Sequence, residues 1–290
     1  MIYHLSNTEL TVSVSDLGAE LTSICGKDGT EYLWQGDPAY WGGQSPWLFP
    51  ICGRLWEGRY TFRGKNYEMN LHGFARKTVF SVAEHTDTSL TMALSESPET
   101  LAQYPFPFTL TVTYRLEGNA LLAKAEIKNT GSEIMPASFG FHPGFRVPLG
   151  KGGFEDWRLV FGKACHPKKI LLSPACFVTD EREPLPLTED RVLPLCHGLF
   201  DNDAIFVEDM ADRITLESDK DPHRVTVCYH GAPYLGFWHT PHTEAPFVCI
   251  EPWYGLPSTH GIVDDFETKA NCFRLSPGQT KECLFDLILS

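Results

Sequence analysis

The chain has 290 residues, a length that suits one large all-β domain as well as two smaller domains. Its net charge of −13 argues against nucleic acid and against an anionic membrane surface as partners, because both are usually bound through basic faces. No apolar run is long enough to cross a bilayer, and the N-terminal residues lack the pattern of a signal peptide. The nine cysteines form no C-x-x-C pair. Free thiols in a reducing compartment are therefore expected, and with them a cytoplasmic protein.

Alternation of apolar and polar residues is the dominant local pattern. It begins at residues 10–14 and recurs at 110–114 and 224–229. A period of two is typical of strands with one buried face. Turn residues at 63–66 (RGKN) and at 117–119 (EGN) separate neighbouring apolar runs. Each of these two turns predicts a β-hairpin.

Helix signals are few along the chain, which contains 24 glycines and 21 prolines. Residues 98–104 (PETLAQY) predict one short helix that is opened by a proline. Residues 148–160 and 180–195 are rich in loop residues, but neither segment is of low complexity, and no internal repeat is visible. Many short strands with few helices predict an all-β, antiparallel sandwich or barrel, with residues 1–290 forming a single domain.

Five segments carry more polar and aromatic residues than strand packing requires. Three of them place an ionisable residue beside a glycine or proline and an aromatic ring: 71–76 (LHGFAR), 140–145 (GFHPGF) and 250–255 (IEPWYG). Two more are 49–54 (FPICGR), with an arginine after a glycine turn, and 200–206 (FDNDAIF), with carboxylates before an apolar strand. Each is weak evidence alone, since a histidine beside a glycine is more often a hydrogen-bonded loop residue.

Glu251 stands out because it follows residues 247–250, an apolar run that predicts a central strand. A carboxylate at the end of such a strand is costly unless it is paired or used in chemistry. Two interpretations stay open from the residues alone. One is a buried ion pair, for instance with Arg54, and the other is a functional carboxylate.

Taken together and in this order, the five segments resemble the aldose 1-epimerases, or mutarotases, of the galactose mutarotase-like superfamily. The likeness is greatest to the branch of lactose-operon protein X. It extends over nearly the whole chain, from residues 17–21 (LGAEL) through 104–108 (YPFPF) to a final strand at 283–289. The resemblance implies an antiparallel β-supersandwich with a sugar site on one concave face. It also implies an isomerase that interconverts the α and β anomers of a hexose.

The resemblance implies catalytic roles for three residues. His72 matches the first active-site histidine of the family, His142 the second histidine and proposed general acid, and Glu251 the proposed general base. In anomer exchange a base takes the proton of the anomeric hydroxyl while an acid protonates the ring oxygen. The C1–O5 bond breaks and the ring recloses on the other face. A carboxylate and a histidine suit these tasks near neutral pH.

No cofactor is expected, because ring opening involves no redox step or electron sink. The chain also lacks a Gly-rich dinucleotide fingerprint. His239 and His242 have a spacing that suggests a metal pair, but Pro241 between them and the missing carboxylate spacing disfavour it. We therefore expect no metal.

The resemblance also implies substrate-binding residues. Arg54 matches a substrate-binding arginine, and an aspartate before an apolar strand belongs to the site. Asp203 fits best because apolar residues follow it directly, and Asp201 is the alternative. The aromatic residues near the motifs are candidates to stack on the C–H face of a sugar, although core packing is the commoner role of any one of them: Phe74, Trp238, Trp253 and Tyr254.

The identity of the sugar stays open. Residues 72–76 (HGFAR) depart from the galactose-specific branch and are shared with hexose-6-phosphate mutarotases. Arg54, Arg59, Arg76 and Lys77 lie close together in the sequence and suggest a phosphate clamp. The expected ligand is therefore a monosaccharide or a sugar phosphate.

Two other classes of function remain as alternatives. The first is a non-catalytic sugar-binding or sensing protein on the same fold. The second is a glycosidase or lyase, in which Glu251 and Asp203 would flank the scissile bond. The small size of the chain and the pair of histidines favour mutarotation.

Overall fold

The structure, a computed structural model, describes residues 1–290. The alternating runs of the sequence form 24 strands. In chain order the strands are β1 (Ile2–Ser6), β2 (Leu10–Ser15), β3 (Leu21–Gly26), β4 (Trp47–Leu48), β5 (Arg59–Phe62), β6 (Lys65–Glu68), β7 (Ser81–His85), β8 (Ser89–Ser95), β9 (Phe108–Glu117), β10 (Ala120–Asn129), β11 (Met135–Ala137), β12 (Gly140–Phe141), β13 (Gly144–Arg146), β14 (Trp157–Phe161), β15 (Lys168–Leu172), β16 (Val178–Pro184), β17 (Val192–Pro194), β18 (Ile205–Glu208), β19 (Arg213–Ser218), β20 (Asp221–His230), β21 (Tyr234–Trp238), β22 (Phe247–Trp253), β23 (Phe273–Leu275) and β24 (Thr280–Leu289).

The helices are short. The predicted helix is confirmed as α1 (Pro98–Gln103), where a capping box joins Ser97 and Thr100 through two side chain to backbone hydrogen bonds. The other helical segments are single 3₁₀ turns at Trp56–Gly58, Ala75–Lys77, Phe154–Asp156 and His197–Phe200. No helix has the length and apolar character needed to span a bilayer.

Both predicted hairpins are confirmed, with tighter turns than the sequence indicates. Phe62 pairs with Lys65, so only residues 63–64 form the turn between β5 and β6. Residues 118–119 likewise form the turn between β9 and β10. The loop-rich segments at 148–160 and 180–195 are only partly loops, because β14, β16 and β17 overlap them. β16 and β17 are edge strands. β16 is mostly polar and β17 has only three residues, so neither shows the alternation that marks the other strands.

Two large antiparallel sheets form the layers of a β-supersandwich, which confirms the predicted fold class. The nine-stranded sheet has the order β17-β14-β19-β20-β24-β10-β9-β8-β7. The eight-stranded sheet has the order β16-β15-β18-β21-β22-β12-β4, and β13 also pairs with β22. A three-stranded sheet, β1-β2-β3, and the pairs β5-β6 and β11-β23 complete the fold.

The main hydrophobic core lies between the two large sheets, and 68 buried residues from both sheets belong to it. β22 shows how the core and a second buried surface are built from one strand. Val248 and Ile250 belong to the main core, whereas Cys249 and Trp253 pack in two smaller clusters. Since side chains alternate between the faces of a strand, Glu251 shares the face of Cys249 and Trp253. All seven residues of β22 are buried, so other parts of the chain pack against both faces of this strand.

Gly73 lets the backbone around residue 72 pass close to the backbone of Phe49, which directly follows β4. Gly73 has a φ of +71°, and a Cβ atom there would lie 2.2 Å from the carbonyl oxygen of Phe49. The same carbonyl accepts hydrogen bonds from the N–H groups of Phe74 (3.0 Å) and Ala75 (3.3 Å). This close approach of two backbones therefore requires a residue without a side chain.

We predict that Gly73→Ala lowers the free energy of unfolding by about 2–4 kcal/mol, since it adds a backbone clash to the cost of a positive φ. Gly64→Ala is the matched control, because Gly64 has a φ of +73° and a Cβ atom there would have no heavy atom within 4 Å. The control is expected to lose only about 1 kcal/mol. Urea denaturation measures both values. Equal losses in the two variants would contradict the clash.

Candidate active site

Glu251 projects from the interior of β22 onto the face opposite the main core. It pairs with Gly236 of β21, and pairing continues beyond it to Trp253, so it does not lie at the strand end that the sequence indicates. A Cβ atom at Gly236 would lie 3.2 Å from Cβ of Glu251 and 2.9 Å from the ring of Phe206. The absence of a side chain at this position leaves room for the carboxyl group.

His142 lies in the connection between β12 and β13, two short strands that both pair with β22. Its backbone N–H donates to the carbonyl of Pro46 (3.1 Å), which fixes the connection above the strand. The Nε2 atom of His142 is 3.2 Å from Oε2 of Glu251. The exposed fraction is 8% for His142 and 1% for Glu251. The buried partner of Glu251 is thus His142, and the ion pair with Arg54 that the sequence left open is not formed.

Burial controls the proton held by this pair. It lowers the pKa of His142 to about 3, because a desolvated imidazolium is disfavoured. Burial, followed by the negative charge of Asp203, raises the pKa of Glu251 well above its ordinary value. The uncharged forms of both groups are therefore favoured in the free protein. Oε1 of Glu251 and Nδ1 of His142 have no hydrogen-bond partner within the chain, although both atoms are buried.

His72 is held by a reciprocal pair of hydrogen bonds with Gly53. The N–H of Gly53 donates to Nδ1 of His72 (3.1 Å), and the N–H of His72 donates to the carbonyl of Gly53 (2.8 Å). Because a backbone N–H can only donate, the neutral ring carries its proton on Nε2. Burial lowers the pKa of His72 well below its ordinary value, and His142 and Arg76 lower it further. His72 is therefore a neutral hydrogen-bond donor.

Two arginines contribute positive charge to the same region. Nη1 of Arg54 donates to the carbonyl of Ala175, and Nη2 of Arg76 donates to the carbonyl of Leu71, both at 3.3 Å. Nε of Arg76 is buried without a partner. Neither arginine lies within 4 Å of a carboxylate oxygen, so both charges remain available to a ligand.

The four-residue phosphate clamp suggested by the sequence is wrong in two of its members. Arg59 pairs with Glu57 at 2.6 Å and also donates to Asn66. Lys77 is exposed and, like Arg59, does not line the cavity that contains Arg54 and Arg76. The prediction from sequence proximity was wrong for Arg59 and Lys77 because β5 and the 3₁₀ turn at Ala75–Lys77 direct these side chains to the surface.

Asp203 lies at the edge of the site with a φ of +70°. Its Oδ1 accepts the N–H of Ala204 (2.9 Å), and its Oδ2 accepts the thiol of Cys176 (2.6 Å). Asp201 instead pairs with Nδ1 of His242 (3.3 Å) and does not line the cavity. Of the two alternatives, only Asp203 is in a position to contact a ligand.

Three tryptophans form the apolar walls of the site. Trp41 and Trp238 lie beside His142, with ring centroids at 5.0 and 5.9 Å, and Trp253 lies 5.6 Å from the ring of His72. The sequence reasoning missed Trp41. The signal that would have found it is the aromatic-rich segment at residues 32–41, which contains two tyrosines and two tryptophans between β3 and β4. Two aromatic residues near the motifs, Phe74 and Tyr254, pack in the main core instead.

These side chains surround one cavity of about 320 Å³. The volume is at the lower end of the range for small-molecule sites. The cavity brings together all seven residues that the sequence predicts for the site: Arg54, His72, Arg76, His142, Asp203, Trp238 and Glu251. A larger depression of about 560 Å³ lies elsewhere, beside Arg158. There the arginine is already paired with Glu217 and Asp219, so the smaller cavity is the better candidate.

Donor atoms of His142, Cys249 and Glu251 lie within 4.8 Å of one another, and they have the chemistry of zinc ligands. Two of these groups, His142 and Glu251, also contact each other, with Nε2 and Oε2 3.2 Å apart. His239 and His242 do not form a metal pair. His239 bonds to His197 and to a backbone carbonyl, whereas His242 faces an aspartate.

Comparison with known proteins agrees with this geometry. The family profile described as aldose 1-epimerase matches residues 1–268, and the chain belongs to this family. Protein LacX (chromosomal) of Lactococcus lactis subsp. lactis is 34% identical over an alignment covering 100% of this chain and 99% of that protein. The plasmid form of LacX from the same organism matches to the same extent.

Two solved structures are close in shape. The galactose mutarotase related enzyme from Lactobacillus acidophilus has a TM-score of 0.95 at 34% identity, with coverage of 100% of this chain and 97% of that chain. A galactose mutarotase-like protein from Lactobacillus casei has a TM-score of 0.94 at 33% identity, with full coverage of both chains. The predicted galactose mutarotase-like fold is confirmed.

We predict that His72 and His142 stay neutral from about pH 5 to 8 in the free protein, although an unperturbed histidine titrates within this window. Imidazole ¹⁵N NMR shifts measured across this range test the prediction. His223 is the internal control of opposite sign, because hydrogen bonds to Asp28 and Asp221 raise its pKa. It should titrate above the ordinary value. A midpoint near pH 6.5 for either site histidine would contradict the effect of burial.

Proposed function

We propose that the protein is an aldose 1-epimerase that interconverts the α and β anomers of a hexose by acid–base ring opening. The observation that carries the proposal is the contact between Glu251 and His142, 3.2 Å apart in a cavity of about 320 Å³. Membership of the aldose 1-epimerase family supports an isomerase of this type.

In the proposed reaction, Glu251 takes the proton of the O1 hydroxyl while the C1–O5 bond breaks. The bonding electron pair goes to O5, which receives a proton from His142, and O1 becomes the carbonyl oxygen of the open chain. Rotation about the C1–C2 bond presents the other face of the carbonyl. Ring closure then reverses both proton transfers and yields the other anomer. Atoms and protons balance over the cycle, and no other reactant is consumed.

The separation of the two groups suits this chemistry. O1 and O5 are both bonded to C1, so an acid and a base that serve them must lie close together on one side of the sugar. Glu251 and His142 meet this requirement, and the unpartnered Oε1 of Glu251 is free to accept a substrate hydroxyl. Each positioned proton transfer contributes about 10²–10⁴-fold to the rate.

The proton must lie on His142 when the closed sugar binds, whereas burial favours a protonated Glu251 in the free protein. We propose that hydroxyl donors of the sugar stabilise the Glu251 carboxylate, because hydrogen bonds to a charged form favour that form. The proton then moves from Oε2 of Glu251 to Nε2 of His142, which lies 3.2 Å away. The uncharged pair reappears in the open-chain state, once O5 has taken the proton from His142 and Glu251 has taken the proton from O1.

The remaining residues are proposed to bind and orient the sugar. Neutral His72 offers an Nε2–H donor, Arg54 offers a guanidinium, and Asp203 offers carboxylate lone pairs to hydroxyl groups. The ring of Trp238 offers an apolar surface to the C–H face of the sugar. Charged groups of both signs in one cavity suit a ligand with many hydroxyls, each of which both donates and accepts.

We also propose that residues 1–290 act as one domain in the cytoplasm. Strands from both ends of the chain, including β2 and β24, contribute to the same 68-residue core. All nine cysteines are free thiols, in keeping with a reducing compartment.

We predict that Glu251→Gln lowers kcat by roughly 10²–10⁴-fold and leaves sugar affinity nearly intact, because it removes a base and retains the shape of the side chain. Polarimetric initial rates at several sugar concentrations, corrected for spontaneous mutarotation, measure this. Arg54→Ala is the contrasting variant and should mainly raise KM. A Glu251→Gln enzyme with nearly wild-type kcat would exclude the base. Inactivity of the wild type on every aldose and aldose phosphate would favour a binding protein.

A second candidate substrate is a phosphorylated hexose. The specific observation in its favour is that Arg54 and Arg76 both line the cavity without a carboxylate partner. Arginine side chains of this kind bind phosphate through charge-assisted hydrogen bonds. The acid and base of the reaction would be unchanged, since the phosphate would lie away from C1.

Comparison of a hexose with its 6-phosphate distinguishes the two substrates. If the phosphate is the substrate, Arg76→Gln should lower its kcat/KM about 10–100-fold and leave the value for the free hexose nearly unchanged. Arg59→Gln is the control, because this arginine lies outside the cavity and pairs with Glu57. Equal effects of Arg76→Gln on both sugars would favour the unphosphorylated hexose.

A further inference from the structure

The turn between β15 and β16, residues 173–177, extends one side chain into the cavity. The N–H of Cys176 donates to the carbonyl of Ser173, and Cys176 has a φ of +61°. The next residue, Phe177, packs with ring centroids 4.7 Å from Trp56. The turn is thus anchored on its outer side, while Cys176 lines the cavity.

The thiol of Cys176 contacts Asp203 and no other hydrogen-bonding group of the chain. It donates to Oδ2, and the N–H of Ala204 donates to Oδ1, so each carboxylate oxygen has one fixed donor. Each oxygen keeps a further lone pair for a ligand. Two donors in fixed positions define the plane of the carboxylate, which a single backbone donor would leave free to rotate.

We propose that Cys176 is a positioning residue whose thiol orients the Asp203 carboxylate toward the hydroxyl groups of the bound sugar. This inference rests on the proposed function, because it assigns Asp203 to sugar binding. Cys176 itself touches no reacting atom and takes no part in proton transfer.

The protonation state of the thiol agrees with a donor role. Burial, followed by the hydrogen bond to Asp203, raises the pKa of Cys176 to about 11. The sulfur therefore keeps its proton near neutral pH and can donate it. A thiolate beside the carboxylate would repel it instead.

The same turn also contacts Arg54, which accounts for a second fixed side chain in the cavity. The contact is made by the backbone carbonyl of Ala175 (3.3 Å), and a change of the Cys176 side chain leaves this carbonyl in place. A variant at position 176 is therefore expected to act on Asp203 alone.

Cys176→Ala tests the inference through the separation of KM from kcat. We expect KM to rise roughly 5–20-fold, because one hydrogen bond to a charged group is lost, while kcat changes less than about threefold. Cys176→Ser retains a donor and should restore KM to within about twofold of the wild type. If Cys176 had only a structural role, its substitution would change kcat and KM together, and Cys176→Ala and Cys176→Ser would have similar effects.

A double-mutant cycle tests whether Cys176 acts through Asp203. Asp203→Asn alone should raise KM, and the addition of Cys176→Ala should raise it no further. Independent, multiplicative effects of the two substitutions would overturn the inference, as would an unchanged KM in Cys176→Ala.

Two further variants keep the test decisive. Cys176→Gly removes the thiol and suits a positive φ, so it replaces the alanine variant if that variant does not fold. Cys196→Ala removes a partly exposed thiol outside the cavity and should change neither constant.

Calorimetric affinity for glucose, galactose and a hexose 6-phosphate, each measured at anomeric equilibrium, separates this inference from the proposed function. An inactive wild type that binds sugar, with weaker binding in Cys176→Ala, would refute the isomerase and retain the positioning role. An active wild type with unchanged affinity in Cys176→Ala would refute the positioning role alone.

Discussion

The site depends on a carboxyl group that is buried in the interior of a strand. Glu251 is 1% exposed, and an isolated carboxylate at such a position would be costly. Burial raises the pKa of Glu251, so that the uncharged carboxyl group avoids this cost in the free protein. Its Oε2 atom lies 3.2 Å from Nε2 of His142, close enough for the two groups to exchange one proton. The cavity is built around this pair. Gly236, on the neighbouring strand, leaves room for the side chain of Glu251, and the rings of Trp41 and Trp238 cover His142.

The rest of the fold serves to keep β22 in place between two buried surfaces. On one side Val248 and Ile250 pack in the main core, where burial of each side chain contributes about 1.5–3 kcal/mol. The other side carries the site. Backbone contacts bring the remaining segments to it, as when the carbonyl of Phe49 accepts two hydrogen bonds from residues 74–75. Stability and site geometry are therefore properties of the same strand.

The charge of the cavity differs from that of the protein as a whole. The chain has a net charge of −13, yet Arg54 and Arg76 line the cavity without carboxylate partners. The carboxylate of Asp203 accepts hydrogen bonds from the thiol of Cys176 and the N–H of Ala204, and from neither arginine. Separation of these charges keeps each of them available to a polar ligand.

The local pattern of residues was enough to predict strands, two hairpins and the helix, and the resemblance to the aldose 1-epimerases indicated the ionisable residues of the candidate site. Period-two alternation and turn chemistry act over a few residues, and the motif segments carry their histidines and carboxylate within short stretches. Long-range packing decided the rest. It paired Glu251 with His142 and not with Arg54, selected Asp203 over Asp201, and directed Arg59 and Lys77 away from the cavity. It also brought Trp41 beside His142, because the N–H groups of His142 and Gly144 donate to carbonyl groups at residues 44 and 46 and hold the loop there.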